Sequence, residues 1–279
     1  MSAQDIFETI SSQYFQLTNS EKKVADYVLA HRMDAQYMSI SELAEECAVA
    51  DATISRFCRR LGLGGYNTFK LELAKASMAA HSARRAGTEE GGRDGFEAMC
   101  RERMQESTAA LEQTVKRLDP EALKRAADLL FQAGRVLCLG QGSSMVLAEE
   151  AWTLLSSISP KFVLVPDSHQ QMAALALMEE GDAALYFSYS GSTREIQDAL
   201  EVAHARKGKV ILITRFPKSP GGLKADVVLQ CGSNEGPLQA GSVPARVAQL
   251  FVLDLLYTEL FQRAPEQAVE CRERIAEAI

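Results

Sequence analysis

From residue 135 onward the chain repeats one pattern: apolar runs of strand length alternate with helical patterns. The runs fall at 135–139, 161–165, 183–188, 209–214 and 226–230, and helical patterns separate the first four. Within each run apolar residues occupy consecutive rather than alternate positions, so both faces of the sheet must be covered. That arrangement predicts a five-stranded parallel sheet flanked by helices. A final long helix is expected over about 244–262, with Val247, Leu250, Phe251, Leu255 and Leu256 as an apolar surface. Apolar residues make up 47% of the 279 positions, too many for a chain disordered throughout. No run of about 18 apolar residues occurs, so no membrane-spanning helix is expected. The six cysteines, Cys47, Cys58, Cys100, Cys138, Cys231 and Cys271, include no Cys-x-x-Cys pair. They read as scattered core residues of a reducing compartment rather than as a disulfide framework or zinc site.

The first 77 residues follow a different rule, with helical periodicity and no strand. Thr18-Asn19-Ser20-Glu21 fits a capping box. Behind it Val24, Tyr27 and Val28 form one apolar stripe, and a second, Ile40, Leu43, Ala44 and Cys47, follows Ser39 as its cap. A third, Ile54, Phe57, Cys58 and Leu61, follows Asp51 as its cap and ends at Gly62. The joint between these two helices is too short for anything but a sharp crossing. Residues 78–95 are small, polar and glycine-rich, and read as a linker, helical at most at its start. The expected organisation is therefore two-domain: an all-α unit over 1–77, a linker over 78–95, and an α/β unit over 96–279 with its sheet core at about 120–262.

Charge is concentrated where the third helix falls. The chain carries net −7, and residues 1–52 alone carry −6, yet residues 53–75 carry +4. Placed on a helical wheel, Ile54, Phe57, Cys58 and Leu61 form one side, while Ser55, Arg56, Arg59 and Arg60 form the other. An apolar back and an arginine-rich front after a tight turn suit a helix that enters a DNA groove. Arginine grips guanine O6 and N7 or holds phosphates, and Thr53 and Ser55 lie near the helix start, where base contacts concentrate. The stretch from Thr53 to Leu63, followed by Gly65-Tyr66 and Phe69-Lys70, resembles the helix-turn-helix of the RpiR family, whose first helix is matched by Leu17 to Ala25. The resemblance implies a DNA-contacting set of Thr53, Ser55, Arg56, Arg59, Arg60, Tyr66 and Lys70.

Two loops carry the chemistry of the second unit. Gly140-Gln141-Gly142-Ser143-Ser144 follows the first strand, and Ser188-Tyr189-Ser190-Gly191-Ser192-Thr193 follows the third; each opens a helix. Both therefore fall at carboxyl ends of parallel strands, where open α/β sheets bind ligands. Glycine permits close backbone approach, helix N-termini favour anions, and hydroxyls add donors, so the expected ligand group is a phosphate. The third glycine of a dinucleotide fingerprint is absent, as is a phosphate-binding loop ending in Gly-Lys-Ser/Thr. Ser188, Ser190, Gly191 and Thr193 match in order a loop of the SIS (sugar isomerase) domain, which the region resembles. The resemblance implies a phosphosugar site built from Gly140, Gly142, Ser143, Ser144, Asp167, Ser168, Ser188, Ser190, Gly191, Ser192 and Thr193. Ser219-Pro220 matches a further SIS stretch, apart from an inserted-looking Gly221-Gly222.

Residues for catalysis are harder to assemble. His169 reads as a sugar contact or loop residue, Glu149 and Glu150 as solvated, Glu235 as a loop charge, and Trp152 as core or dimer interface. No His, Cys, Asp or Glu cluster has metal-ligand spacing, and no cofactor is expected. The first residues lack the basic and apolar regions of a signal peptide, so a cytoplasmic location is expected. The combined expectation is a non-enzymatic transcriptional regulator that binds double-stranded operator DNA as a homodimer and senses a phosphorylated sugar. A phosphosugar isomerase with a helical appendage, and a dimerisation module that binds no DNA, are the alternatives.

Overall fold

The computed structural model describes residues 5–32, 34–85, 93–232 and 241–279. Two compact units divide the chain between Glu102 and Arg103. The first unit is helical: α1 (Ile6–Gln13), α2 (Asn19–Ala30), α3 (Ile40–Glu46), α4 (Asp51–Arg60) and α5 (Tyr66–Arg85). Helix α6 (Arg93–Arg117) runs across the division. Helices α5 and α6 thus extend into the stretch read as linker, of which 86–92 lie outside the described residues.

Local chemistry sets the ends of these helices. Thr18 and Glu21 form the expected capping box, and Ser39 and Glu42 form a second at the start of α3. Asp51, expected to cap α4, is instead its first helical residue. Ala50 is the cap, and the Asp51 carboxylate accepts from the Ser41 hydroxyl at 2.9 Å while offsetting the positive helix end. Helix α4 closes with the Gly62 N–H on the Arg59 carbonyl and the Leu63 N–H on the Cys58 carbonyl. This closure needs the left-handed conformation that Gly62 adopts, φ +80°. Helix α3 closes the same way, but with Ala48 at φ +49° in the left-handed position. Residues 47–50 are the whole joint, so α3 and α4 share one core: Leu43 and Ala44 meet Ile54, Phe57 and Cys58, all essentially buried. Phe57 stacks edge-on against Phe69 of α5, at 5.7 Å between ring centroids.

In the second unit the elements are α7 (Pro120–Gln132), β1 (Val136–Gly140), α8 (Met145–Ser156), β2 (Phe162–Leu164), α9 (Ser168–Ala176), β3 (Ala183–Phe187), α10 (Arg194–Ala205), β4 (Lys209–Thr214), α11 (Pro220–Lys224), β5 (Val227–Gln230), α12 (Val243–Arg263) and α13 (Pro265–Ala278). The strands form one parallel sheet in the order β2-β1-β3-β4-β5. Alternate residues serve opposite faces. Cys138, Leu185, Phe187 and Ile213 pack with α7, α8 and α12; Leu137, Tyr186 and Leu212 pack with α9 and α10. Strand order reverses between β1 and β3, so α8 and α10 leave on opposite faces and a crevice opens above the two strand ends. Burial pushes the Cys58 and Cys138 thiols up to about 12, which leaves them acting as small apolar side chains. Among the described residues no helix is long and apolar enough to cross a membrane.

Candidate functional site

In the helical unit, the face of α4 opposite its core side is formed by Arg56, Arg59 and Arg60, all exposed, with Ser55 half-buried beside them. Arg56 reaches back to donate to the Thr53 hydroxyl at 3.2 Å, and the Arg59 side chain has no hydrogen-bond or ion-pair partner among the described residues. Thr53 itself is buried. Tyr66 is turned inward: its hydroxyl lies within hydrogen-bond distance of the Met38 and Ser39 carbonyls, at 3.0 and 3.3 Å. It therefore ties the start of α5 to the segment that leads into α3. Lys70, one turn further along α5, is half-buried. The expected set thus separates into an outward group, Ser55, Arg56, Arg59 and Arg60; Thr53, buried within α4; Tyr66, whose hydroxyl ties α5 to the segment before α3; and Lys70, half-buried on α5.

Arg60 also has a structural bond. Its Nε donates to Glu21 Oε1 at 3.1 Å, and its Nη1 to the Gln16 carbonyl. Burial alone raises the pKa of the nearly buried Glu21 carboxyl. The backbone and hydroxyl of Thr18 and the Arg60 guanidinium overcome that effect, and the carboxyl titrates below its ordinary 4.5. A depressed folded value means that the contribution is present above pH 4.5 and is lost as pH falls through the lower folded value. Glu21→Gln is expected to weaken the helical unit by about 1–2 kcal/mol at neutral pH, the range for a charge-assisted hydrogen bond with one partner exposed. The difference should shrink below pH 4.5. Hydrogen exchange of the α2 and α4 amides in the whole chain checks this; equal protection in both proteins at neutral pH would reject it.

The ligand loops of the second unit rise from neighbouring strands, since Gly140 pairs in register with Phe187, the residue before Ser188. After β1 the chain folds back so tightly that a Cβ on Gly140 would strike the Ser144 carbonyl. Gly142 is left-handed (φ +55°), and a short turn over 142–144 leads into α8. Gln171 of α9, which is buried, fastens this loop: its Nε2 donates to the Gly140 and Val165 carbonyls at 2.9 and 2.8 Å, and its Oε1 accepts from Gln141. Asp167 caps α9 by accepting from the Gln170 N–H, and Ser168 and His169 are exposed beside it.

The loop after β3 is locked from below. Ser188 is buried, and its Oγ accepts from the Gly191 N–H at 3.2 Å. Gly191 is left-handed (φ +58°), and a Cβ there would collide with Ser219 Oγ. Its carbonyl accepts from the Gly221 N–H at 2.8 Å, and a Cβ on Gly222 would overlap the Pro217 carbonyl. The Gly221-Gly222 pair is therefore what lets α11 seat against the loop. Ser190 and Ser192 brace each other, Ser190 Oγ accepting from the Ser192 N–H. Thr193 stands at the cap of α10 with its hydroxyl not capping, so the first N–H groups of that helix have no side-chain acceptor. Exposed hydroxyls on Ser192 and Thr193 and an open helix start make this rim a donor surface suited to an anion.

Sequence reasoning missed two residues here. Arg246 lies in the first turn of α12, and a Cβ built on Gly241 would sit 2.8 Å from Ser143 Cβ and 3.1 Å from Arg246 Nη2. A guanidinium therefore stands beside the β1 loop. Its Nε is buried with no partner among the described residues, as is Oε1 of Gln249 one turn on. The sequence shows Arg246 inside the last helix pattern, where Arg246 to Leu250 resembles the last helix of the SIS domain, but its approach to Ser143 depends on how α12 packs. Gln171 was likewise hidden inside an ordinary helical pattern. Among the residues weighed for catalysis, Glu149 and Glu150 are exposed on α8, and Glu235 lies outside the described residues. Trp152 is 40% exposed rather than core, because Ala148, Ala151 and Leu155 already form the inward stripe of α8. No group of three or more His, Cys, Asp or Glu that could hold a metal occurs among the described residues.

A helical unit with an arginine face, joined in one chain to a parallel α/β unit with paired glycine-hydroxyl loops, defines the class of two-domain proteins that join a helix-turn-helix to an α/β domain. Residues 4–80 match the helix-turn-helix domain of the rpiR family, and residues 129–259 match the SIS domain. An uncharacterized HTH-type transcriptional regulator of Caldanaerobacter subterraneus is 31% identical over 99% of this chain and 97% of its own. The HTH-type transcriptional regulator HexR of Pseudomonas aeruginosa is 32% identical over 91% of this chain and 88% of its own. The Vibrio vulnificus NanR protein, solved in complex with ManNAc-6P, superposes with a TM-score of 0.79 at 26% identity, covering 98% of this chain and 97% of that one. The chain belongs to the RpiR family of helix-turn-helix transcriptional regulators.

Proposed function

We propose that this regulator binds operator DNA through α4 and changes its operator affinity when its SIS domain takes up a phosphorylated sugar. The observation that carries the reading is the rim of the β3 loop, where Ser190, Ser192 and Thr193 surround an uncapped helix start. In this reading the phosphate sits on that rim, and Gly140 to Ser144, Ser168, His169 and Arg246 face the sugar. NanR, a relative in fold over nearly the whole chain, was solved with a phosphosugar, which supports the assignment of ligand class. On the DNA side, Ser55, Arg56 and Arg59 face the groove, Arg60 and Lys70 the phosphates, and Thr53 and Tyr66 hold the recognition helix in position. The protein acts in the cytoplasm as a homodimer that reads two half-sites, with residues 78–95 joining its domains. Trp152 of α8 and Leu250 of α12, both more than a third exposed, offer apolar surface to the second copy.

The test is a fluorescence-anisotropy titration with DNA from the upstream region of the regulator's own gene. Hexose, amino-sugar and pentose phosphates are added in turn, each beside its unphosphorylated parent. One phosphosugar should shift the DNA midpoint by roughly 5–150-fold, the usual span of a coupling between two sites, while its parent sugar does not. Equal shifts from parent and phosphate, or conversion of a phosphosugar at an enzyme-like rate, would overturn the reading.

A further inference from the structure

The opposite end of the sheet holds a second cavity. It measures about 330 Å³ and lies where the C-terminal end of α7, the entry to β2, and the junction of α12 and α13 converge. Phe131, Ile158, Phe162, Leu260 and Ala268 give it an apolar wall. One cation stands in it. Lys161 Nζ donates to the Phe131 carbonyl at 2.7 Å and lies 5.6 Å from the centroid of the Phe131 ring. No carboxylate pairs with it among the described residues. Four other lysines of this unit do find acids: Lys124 pairs with Glu121, Lys207 with Glu180, Lys209 with Asp226 and Lys224 with Glu201. Lys161 lines the cavity instead, half-buried, and its desolvation holds its pKa below the ordinary value. A carbonyl satisfies one of the three ammonium donors and leaves the charge without a counter-ion.

We infer that this cavity is a small-molecule site, separate from the phosphosugar loops, for an organic acid whose carboxylate pairs with Lys161 and whose short apolar body fills the Phe131–Phe162–Leu260 wall. The volume suits a ligand at the small end of the range for protein sites. Ser159 and Gln267 also line the cavity, but two short polar groups do not replace the water that the several hydroxyls and the phosphate of a phosphosugar would lose beside the apolar wall. The carboxylate gains because the ammonium is already partly stripped of water, so pairing costs less than at an exposed lysine. Phe131 is 42% exposed, which leaves a way in.

The test uses the full chain and three probes of similar size: hexanoate, hexanol and hexylamine. Binding is followed by the melting shift and by NMR of the protein with its lysines reductively methylated with 13C, where the Lys161 signal is assigned from Lys161→Met. Hexanoate should raise the melting temperature and move the Lys161 titration to higher pH, since the paired ammonium holds its proton longer. Hexanol and hexylamine should do neither. Lys161→Met should lose the hexanoate shift by at least tenfold in midpoint concentration. Gln267→Trp, which narrows the mouth from an exposed position, should lose it too while Lys161 stays in place. The inference is overturned if hexanol stabilises as well as hexanoate, if Lys161→Met retains the shift, or if none of the three acts at millimolar concentration. Stabilisation by phosphosugars in Lys161→Met should match the wild type, so failure here is distinguishable from failure of the phosphosugar reading.

Discussion

Replacing Arg56 and Arg59 together by alanine is expected to abolish operator binding at physiological salt while leaving the fold intact. Both side chains are exposed on the outer face of α4, and neither is built into the core. A bidentate arginine contact to a base contributes about 1–3 kcal/mol of discrimination, so the pair is expected to cost between one and four powers of ten in affinity. The salt dependence tells the two roles apart. Were both arginines phosphate contacts, the slope of log affinity against log salt would fall by about 2, and loss would be uniform across sequences. Were they base contacts, the slope would hold and the ratio of specific to non-specific binding would collapse. Arg60→Ala is a useful contrast, because it also removes the ion pair to Glu21 and should lower the protection of α2 and α4 as well as affinity. Unchanged binding by the Arg56/Arg59 double variant in a titration from low to physiological salt would remove α4 from the interface.

The second large effect is expected in the ligand domain. Ser190→Ala with Thr193→Ala should abolish the stabilisation conferred by the cognate phosphosugar. Hydrogen bonds to a charged group contribute about 1.5–3 kcal/mol each, so losing two weakens binding by roughly two to four powers of ten. Stabilisation scales with the logarithm of ligand concentration over Kd, and it disappears once Kd exceeds the concentration used. DNA binding without ligand should persist. Gly191→Ala acts on the same site by another route. The left-handed backbone and the overlap with Ser219 Oγ force the loop to move, so ligand binding should fall although no donor has been removed. Arg246→Ala completes the series by deleting a cation beside Ser143. A melting screen on these variants, with phosphorylated and parent sugars side by side, reads all three. Retained stabilisation in the Ser190/Thr193 variant would move the phosphate elsewhere.

Much of the architecture was legible because its signals are local or periodic. Consecutive apolar positions in the five runs reported burial on both faces, and the β-strands fall within a residue or two of those runs. The Thr18–Glu21 box and Gly62 marked helix ends because capping depends on side chains only a few residues apart. Asp51 shows the limit: an acidic residue at a helix start can serve as cap or as first-turn charge, and the choice here goes with Ser41, ten residues away. The site loops could be placed at strand ends from sequence, but their internal bonding could not. Nothing near Gly191 announces that Ser219 and Gly221 will close over it, and nothing near Ser143 announces Arg246, because both approaches are set by packing between elements far apart in the chain. Tyr66 illustrates the converse. The resemblance to the RpiR helix-turn-helix implied a DNA contact for it, whereas the structure turns its hydroxyl to the Met38 and Ser39 carbonyls.

Helix α12 begins with Arg246 in its first turn beside the glycine-hydroxyl loop and carries Leu260 near its far end, in the wall of the Lys161 cavity. The two residues are fourteen positions apart, roughly 21 Å along the axis at 1.5 Å per residue. An α-helix resists stretching, and this one is anchored along its length by Ala248, Val252, Leu253 and Leu256 against the sheet. It therefore acts as a fixed spacer: the arginine end and the leucine end are held at one separation, and neither can shift along the axis without the core contacts between them giving way. What stands at one end of the sheet is thus placed relative to the other by a single rigid element.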